Sequence, residues 1–308
     1  MTKRLHTWWR CMLPLILAVA GYSQAAGAAE LKRVLLLQSE QFAPYQRFHR
    51  TFEQNLPQGV RLEVRDMSRL TELPAADLVV AVGFKAAQWA VEHRQEPAFA
   101  TLLTRENFMT LRASRGASRS LSAIYLEQPL SRQVALIRAV LPERKRVGIL
   151  YSNRTFELEG LRDELSLSGA ELVAQPLRPD GSLAGDLEAL LAQADILMAI
   201  PDGNIFNSST IRNILLGSYR RGVPMIGLTA AYVNAGALCA VYSTTEQMAA
   251  QAAGVTEEFF RNGVLPGAQY PQLYQIDLNQ EVARSLRLTV RSVEALRIEV
   301  ERAEGGRK

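Results

Sequence analysis

Polar side chains that can bind a small solute stand directly after two apolar runs of the sequence. Ser152 and Asn153 follow the run 147–150, and Asp202 follows the run 195–200. Hydroxyl and amide groups at the start of a helix bind a carboxylate, whereas the carboxylate of Asp202 pairs with an ammonium group. Each residue also has a purely structural explanation: Ser152 and Asn153 equally well cap a helix, and Asp202 equally well forms an ordinary turn.

Apolar runs alternate with amphipathic stretches over most of the chain. The runs have the length and composition of strands that are buried on both faces, and such strands belong to parallel sheets. The predicted strands are 32–38, 60–65, 77–82, 97–103, 121–125, 147–151, 171–176, 195–200, 223–228, 237–242 and 274–278. The predicted helices are 45–56, 86–92, 131–140, 156–167, 183–192, 205–219, 244–261 and one that runs from 279 towards 302. This alternation predicts an α/β fold with two Rossmann-like lobes, each built on a parallel sheet.

Two segments between the predicted elements are interpreted as loops. Residues 112–120 contain Arg112, Arg115 and Arg119 among serines. No aromatic residue is interleaved, so a solvated surface turn explains this segment better than an anion site does. Residues 229–234 are interpreted as a short turn between two strands.

Candidate ligand-binding residues lie at the predicted carboxyl ends of the strands, because open α/β sheets bind ligands there. In the first lobe they are Ser39, Tyr45, Gly83, Phe84 and Lys85, and in the second they are Tyr151, Ser152, Asn153, Asp202, Asn204, Thr229 and Tyr232. Lys85 favours an anionic group, and the aromatic side chains favour the apolar body of a solute. Phe84 equally well packs between helices.

The first 29 residues have the layout of a secretory signal peptide. Lys3, Arg4 and Arg10 precede an apolar run at 12–20, and small residues follow at 25–29. This order predicts export to the periplasm and cleavage after Ala28 or Ala29. The apolar run is short for a bilayer span, although a retained membrane anchor is the alternative.

Length and charge bound the class of protein further. The chain of 308 residues is longer than a single hydrophobic core usually supports, so two domains are expected. Its 35 basic and 31 acidic residues give a small positive charge. Removal of the signal peptide deletes three basic residues and no acidic one, which leaves a nearly neutral chain. Nucleic acid is therefore not expected as a partner.

Cysteine and histidine usage argues against cross-links and metal sites. Processing removes Cys11 and leaves Cys239 alone in the apolar run 237–241, so no intrachain disulfide can form. We interpret Cys239 as a small buried apolar residue. The three histidines, His6, His49 and His93, are scattered and show no metal-ligand spacing.

Sequence motifs of the common catalytic sites are missing. The chain has no Gly-x-Ser-x-Gly elbow, no Gly-x-x-x-x-Gly-Lys phosphate loop and no Gly-x-Gly-x-x-Gly dinucleotide motif. We therefore expect a protein without catalytic residues and without a cofactor.

Several runs resemble one family of proteins. The run from Leu136 to Tyr151 resembles the segment that opens the second lobe in periplasmic substrate-binding proteins of an uncharacterised ABC transport family, which includes tryptophan- and tyrosine-binding members. Residues 77–87, 222–227 and 279–288 are similar to further runs of that family. The similarity extends loosely from about Leu31 to Leu288.

This resemblance implies a periplasmic-binding-protein type I fold with three interlobe crossings. It places 30–128 plus 243–267 in the first lobe and 129–242 plus 268–303 in the second. Residues 304–308 are expected to form a disordered tail at the end of the chain. The resemblance implies a monomeric receptor that closes on a small molecule, such as an amino acid or a related anionic or zwitterionic compound, and delivers it to an ABC permease. The alternative is a sensory module that presents its closed form to a membrane kinase or chemoreceptor.

The sequence departs from the family at two predicted cleft loops of the first lobe. Gly83-Phe84-Lys85 stands where the family has glycine, a small residue and proline. Thr104-Arg105-Glu106-Asn107 stands where the family often has Asp-Pro. The ligands of the known members therefore cannot be carried over to this chain.

Overall fold

A computed structural model describes residues 31–67, 74–115, 120–152, 157–179 and 181–305. The predicted signal peptide and candidate Asn153 lie outside these residues. None of the helices described is both long enough and apolar enough to cross a membrane.

The described chain forms eleven strands and eleven helices. The strands are β1 (Lys32–Gln38), β2 (Val60–Asp66), β3 (Leu78–Val82), β4 (Ala98–Leu103), β5 (Leu121–Tyr125), β6 (Arg146–Tyr151), β7 (Glu171–Pro176), β8 (Ile196–Met198), β9 (Met225–Gly227), β10 (Cys239–Tyr242) and β11 (Gln275–Leu278). The helices are α1 (Ala43–Asn55), α2 (Phe84–His93), α3 (Arg105–Arg115), α4 (Leu130–Val140), α5 (Leu158–Leu167), α6 (Leu183–Leu191), α7 (Ile211–Arg220), α8 (Ala230–Ala235), α9 (Thr245–Asn262), α10 (Gln280–Ser285) and α11 (Val293–Gly305).

The first lobe is built on a five-stranded sheet in the order β2-β1-β3-β4-β5. All of its pairings are parallel. All five residues of β3 are buried, as a strand covered on both faces requires. Helices α1 and α9 cover one face of the sheet, where Phe48, Phe52 and Met248 join the core, and α2 and α3 cover the other.

The second lobe is built on a six-stranded sheet in the order β11-β10-β9-β8-β6-β7. Strand β11 runs antiparallel to β10, whereas the other pairings are parallel. The sheet is therefore mostly parallel rather than wholly parallel, because β11 enters from a connection to the other lobe instead of from a crossover helix. The two α/β lobes have the periplasmic-binding-protein type I fold that the sequence resemblance implied.

The chain passes between the two sheets three times, at 126–129, at 243–244 and at 263–274. One buried side chain, Arg132 on α4, contacts several parts of these connections. Its guanidinium donates to Gln128 Oε1 at 2.6 Å and to the Pro271 carbonyl at 2.9 Å, and it lies 4.2 Å from the centre of the Tyr274 ring. It also donates to Glu304 Oε1 at 2.7 Å. Gln128 in turn donates to Ser243 Oγ at 2.9 Å, so the three connections share one hydrogen-bonded network.

The structure corrects the sequence interpretation at four places. The helix predicted at 205–219 begins only at Ile211, in α7. Residues 105–115 form α3, where the sequence interpretation had no helix and began a loop at 112. Residues 230–235 form the short helix α8 where a turn was expected. The last predicted helix is two helices, since Arg287 has φ +55° and Ser292 begins a new helix by accepting from the Ala295 N–H at 3.3 Å.

The C-terminal end also differs from the expectation. The tail expected at 304–308 overlaps α11, which continues to Gly305 and holds Glu304 against Arg132. The ion pair between Glu304 and the buried guanidinium of Arg132 explains why the chain stays helical at this end. Residues 306–308 lie outside the described part of the chain.

Cys239 is the first residue of β10, the second strand from one edge of the second sheet. It is fully buried and unpaired, as the sequence predicted. Burial raises the pKa of its thiol to about 12, so the thiol stays protonated.

Candidate functional site

A cavity of about 560 Å³ opens between the two lobes. The first lobe and the connections contribute Thr104, Arg105, Glu106, Asn107, Met109, Thr110, Glu127, Gln128 and Tyr270. The second lobe contributes Leu130, Gln133, Glu157, Ile200, Pro201, Asp202, Gly203 and Asn204. The volume and the mixture of apolar and polar groups are those of a small-molecule site.

The wall from the first lobe is the start of α3. The β4–β5 register shifts between Ala100 and Leu103, and Leu102 has φ +52°. Such an irregularity redirects the chain where it leaves a strand. Thr104 then caps the helix, since its Oγ1 accepts from the Asn107 N–H at 3.2 Å.

A carboxylate from a distant part of the chain completes this helix start. Glu127 accepts the backbone N–H of Arg105 with both oxygens, at 2.9 and 3.0 Å. A negative charge at a helix N-terminus is favourable. Burial nevertheless raises the pKa of Glu127 to about 7, against the opposing effects of backbone N–H groups and of the Arg105 charge. Glu127 is therefore a desolvated carboxylate in the cavity wall that titrates near neutral pH.

An ion pair joins the two walls across the opening. The guanidinium of Arg105 on α3 donates to Glu157 Oε1, at the residue before α5. Both side chains are partly exposed, 35% and 43%, so solvent screens the pair. The pair brings the start of α3 in the first lobe into direct contact with the start of α5 in the second.

An aromatic cluster lies beneath Arg105. Tyr270 meets the ring of Tyr125 edge to face with 5.1 Å between the centroids, and Tyr125 meets Phe108 in the same way at 5.6 Å. Burial raises the pKa of both tyrosines, so both are neutral phenols at physiological pH. Tyr270 belongs to the third connection and lines the cavity.

The wall from the second lobe is a loop organised by Asp202. Its carboxylate accepts the Ser152 N–H at 2.6 Å, the Ser152 hydroxyl at 2.8 and 2.9 Å and the Asn204 N–H at 3.1 Å. The Asn204 amide donates to Ser152 Oγ at 3.0 Å. These bonds tie the end of β6 to the loop that follows β8. Asp202 thus has the turn-forming contacts that the sequence allowed, and it also lines the cavity with Asn204.

The first-lobe candidates form a group of their own, and none of them lines this cavity. Ser39 Oγ accepts the Ala86 N–H at 2.8 Å and so caps the start of α2. Lys85 pairs with Glu40 at 2.9 Å. Gly83 has φ +90°, and a Cβ at this position would lie 2.8 Å from the hydroxyl of Tyr45. Phe84 packs on the core beneath α2.

The remaining second-lobe candidates also lie away from this cavity. Tyr232 donates from its hydroxyl to the Phe206 carbonyl at 3.2 Å. Thr229 precedes α8 without a side-chain capping bond. Tyr151 packs against the core of the second lobe.

The residues that sequence reasoning missed come mainly from α3 and the connections. Arg105 and Glu106 belong to a segment in which the sequence departs from the resembling family, and that departure was a usable signal. Glu127 and Tyr270 stand in connections, where no pattern of apolar residues marks a site. Glu157 is one of many acidic residues near the predicted helices, and its sequence context carried no signal.

Solved structures with the same fold cover nearly the whole described chain. One is a conserved domain protein from Vibrio cholerae, with 18% identity, coverage of 87% of this chain and 98% of the other, and a TM-score of 0.62. Another is the ABC domain in complex with L-Trp from Streptococcus pneumonia, with 17% identity, coverage of 86% and 98%, and a TM-score of 0.62. A third is a ligand-free, open substrate-binding protein with adhesive properties from Clostridium difficile, with 14% identity, coverage of 86% and 97%, and a TM-score of 0.65.

The TM-scores establish a shared fold, and at these low identities they establish nothing further. No protein-family model matches the sequence, and no curated protein matches it either.

Proposed function

We propose that this protein is a periplasmic solute-binding component of an ABC importer. The observation that carries the proposal is the cavity between the lobes, whose walls come from both lobes and from two of the connections between them. Solute receptors of this architecture bind between lobes that rotate about their connections. Neighbours in fold include a protein solved with L-Trp and a substrate-binding protein, which fits the same role.

The lobe boundaries in this proposal are 30–128 plus 243–267 for the first lobe and 129–242 plus 268–303 for the second. Packing supports the assignment of 243–267 to the first lobe, since α9 contributes Ala252 and Phe259 to the core of the first sheet. Helix α11 contributes Leu296 and Val300 to the core of the second sheet. A monomer that closes by rotation of these two bodies is the proposed working form.

Solute binding is tested on protein that has been unfolded, dialysed and refolded to remove any copurified molecule. Thermal-shift measurements with amino acids, amines, nucleosides and sugars should find a solute that raises Tm, because a ligand that binds only the folded state stabilises it. Native mass spectrometry then gives the stoichiometry, expected to be one solute per chain. Absence of stabilisation by every class would contradict the proposal.

The absence of catalysis and the export step have separate tests. A bound solute, released by denaturation after prolonged incubation, should have the same mass as the solute added, and a new mass would indicate an enzyme. Amino-terminal sequencing of the protein from a periplasmic extract should begin at Ala29 or Glu30. A mature chain that retains residues 1–29 in the membrane fraction would indicate an anchored protein instead.

Delivery to a permease is tested by reconstitution. Radiolabelled solute should enter proteoliposomes only when the candidate permease, its ATPase and this protein are all present. Stimulation of a kinase by the loaded protein without any uptake would favour the sensory alternative.

A further inference from the structure

The charged residues that line the cavity are predominantly acidic. Among the described lining residues, Glu106, Glu127, Glu157 and Asp202 carry carboxylates, and Arg105 alone carries a cationic group. A low-dielectric cleft lined mostly by one sign of charge concentrates ligands of the opposite sign.

The carboxylates differ in how their charge is compensated. Glu157 pairs with Arg105. Asp202 takes its hydrogen bonds from Ser152 and Asn204. Glu127 takes its hydrogen bonds from the backbone, and in the described part of the chain no Lys, Arg or His nitrogen forms a salt bridge with it. Among these carboxylates, a half-buried one without a salt bridge is the one that a cation entering the cavity would stabilise most.

The ionisation of Glu127 agrees with this geometry. Burial raises its pKa to about 7, and the neighbouring carboxylate of Glu106 acts in the same direction. A bound cation would oppose both effects and favour the charged form of Glu127.

The arrangement favours an organic cation over a metal ion. Within the described residues no group of three or more His, Cys, Asp or Glu side chains is placed to coordinate one metal. The wall instead offers Tyr270, Leu130, Ile200 and Pro201 to an apolar body, in a volume suited to a small organic molecule. Gln133 and Asn204 add neutral amide groups to the lining, and their side-chain N–H groups donate to the Gln128 carbonyl at 2.8 Å and to Ser152 Oγ at 3.0 Å.

We infer that the cleft selects a small organic amine, and that Glu127 binds its ammonium group while Tyr270 and the apolar wall contact its body. This inference rests on the proposed function and goes beyond it, because it replaces the expected anionic or zwitterionic ligand by a cationic one.

The test compares solutes that share a shape and differ in charge. Phenethylamine, phenethyl alcohol and phenylacetate form an aromatic set, and putrescine, butanediol and succinate form an aliphatic set. Isothermal titration at pH 8 on refolded, solute-free protein should show that at least one amine binds at least about tenfold more tightly than its neutral and anionic partners, as expected for a hydrogen bond between charged groups.

Two variants assign the effect to one residue. Glu127→Gln keeps the shape and an oxygen for the Arg105 N–H, and it should weaken amine binding at least about tenfold. Glu258→Gln removes an exposed carboxylate on α9, outside the cavity lining, and should leave binding unchanged. Circular dichroism of both variants checks that the fold is retained.

The outcomes separate this inference from the function on which it rests. Binding of the neutral or anionic partners in preference to the amines would overturn the inference and leave solute binding intact. Equal amine affinity in the wild type and Glu127→Gln would overturn the role of Glu127. If none of the six probes binds but the wider solute screen finds a ligand without an amino group, the inference fails alone. If no solute binds at all, both fail.

Discussion

Glu127 combines a structural contact with an unfavourable environment for its charge. It accepts the first N–H of α3, yet burial raises its pKa from the ordinary value of 4.5 to about 7. Between these two values the folded state holds a proton that the unfolded state has released. The free energy of unfolding therefore decreases as the pH rises from about 4.5 to about 7 and changes no further through this group above that pH.

Glu127→Gln should remove this dependence. The variant should gain roughly 2 kcal/mol in stability relative to wild type when the pH is raised from 5 to 8, after a reduction for partial solvent exposure. Urea denaturation of both proteins at the two pH values measures the difference. The difference in stability between Glu258→Gln and wild type should be the same at both pH values. If the difference for Glu127→Gln is also the same at both pH values, the pKa of Glu127 is not raised.

Gly83 is the position at which the first-lobe candidates meet. Its φ of +90° is accessible mainly to glycine, and an added Cβ would lie 2.6 Å from Ser39 Oγ. Gly83→Ala should therefore destabilise the protein by about 2–4 kcal/mol, as strain and overlap add.

A second glycine separates strain from overlap. Gly59 has φ +82° with nothing within 4 Å of an added Cβ, so Gly59→Ala should cost only about 1–2 kcal/mol. Denaturant unfolding measures both values. Equal costs for the two variants would show that the contact with Ser39 has no energetic weight.

Among the helices and strands, those marked by a local pattern of apolar residues could be predicted from the sequence. The buried strands were found because apolar runs such as β3 are visible in the sequence. Helix α3 was missed because it is rich in polar residues and because its first N–H is bound by Glu127, which lies 22 residues further along the chain. Helix α3 forms one wall of the cavity, so of the predicted residues that the structure describes only Asp202 and Asn204 line it.

The helix that returns the chain to the first lobe begins with a reciprocal cap. Thr244 Oγ1 accepts the Gln247 N–H at 3.1 Å, and Gln247 accepts the Thr244 N–H at 2.9 Å. Thr244→Ala should cost about 1 kcal/mol.

Thr229 is the matched control for this prediction. It occupies the same position before α8 but makes no side-chain capping bond, so Thr229→Ala should change stability by less than about 0.5 kcal/mol. Chemical denaturation measures both. A large loss in Thr229→Ala, or none in Thr244→Ala, would contradict the assignment of the caps.

At the scale of the whole molecule, the two-lobed architecture follows from the order of the elements. The contacts that connect the lobes do not follow from this order, since Arg132 forms hydrogen bonds with residues that lie from 4 to 172 positions away in the chain. No pattern in the sequence marks such a residue, because arginine on a helix is usually exposed.

Arg132 should matter more to stability than an ordinary surface arginine. Its side chain is 8% exposed, and Arg132→Met would leave the carboxylate of Glu304 and the carbonyl of Pro271 without this donor. We expect a loss of about 3 kcal/mol.

The exposed pair between Arg261 and Glu257 provides the comparison. The Arg261 side chain is 65% exposed, so Arg261→Met should cost less than about 0.5 kcal/mol. Guanidinium denaturation of the two variants measures the difference. Similar losses would show that the network at the connections does not hold the lobes together.

The buried thiol of Cys239 makes one measurement of lobe movement simple. With a pKa of about 12 and no exposed surface, it should not react with a maleimide dye at neutral pH. A chain that starts at Leu31 has no other cysteine. Dyes attached through Gln88→Cys on α2 and Ser166→Cys on α5 would then report the separation of the lobes by energy transfer, with the native cysteine left in place.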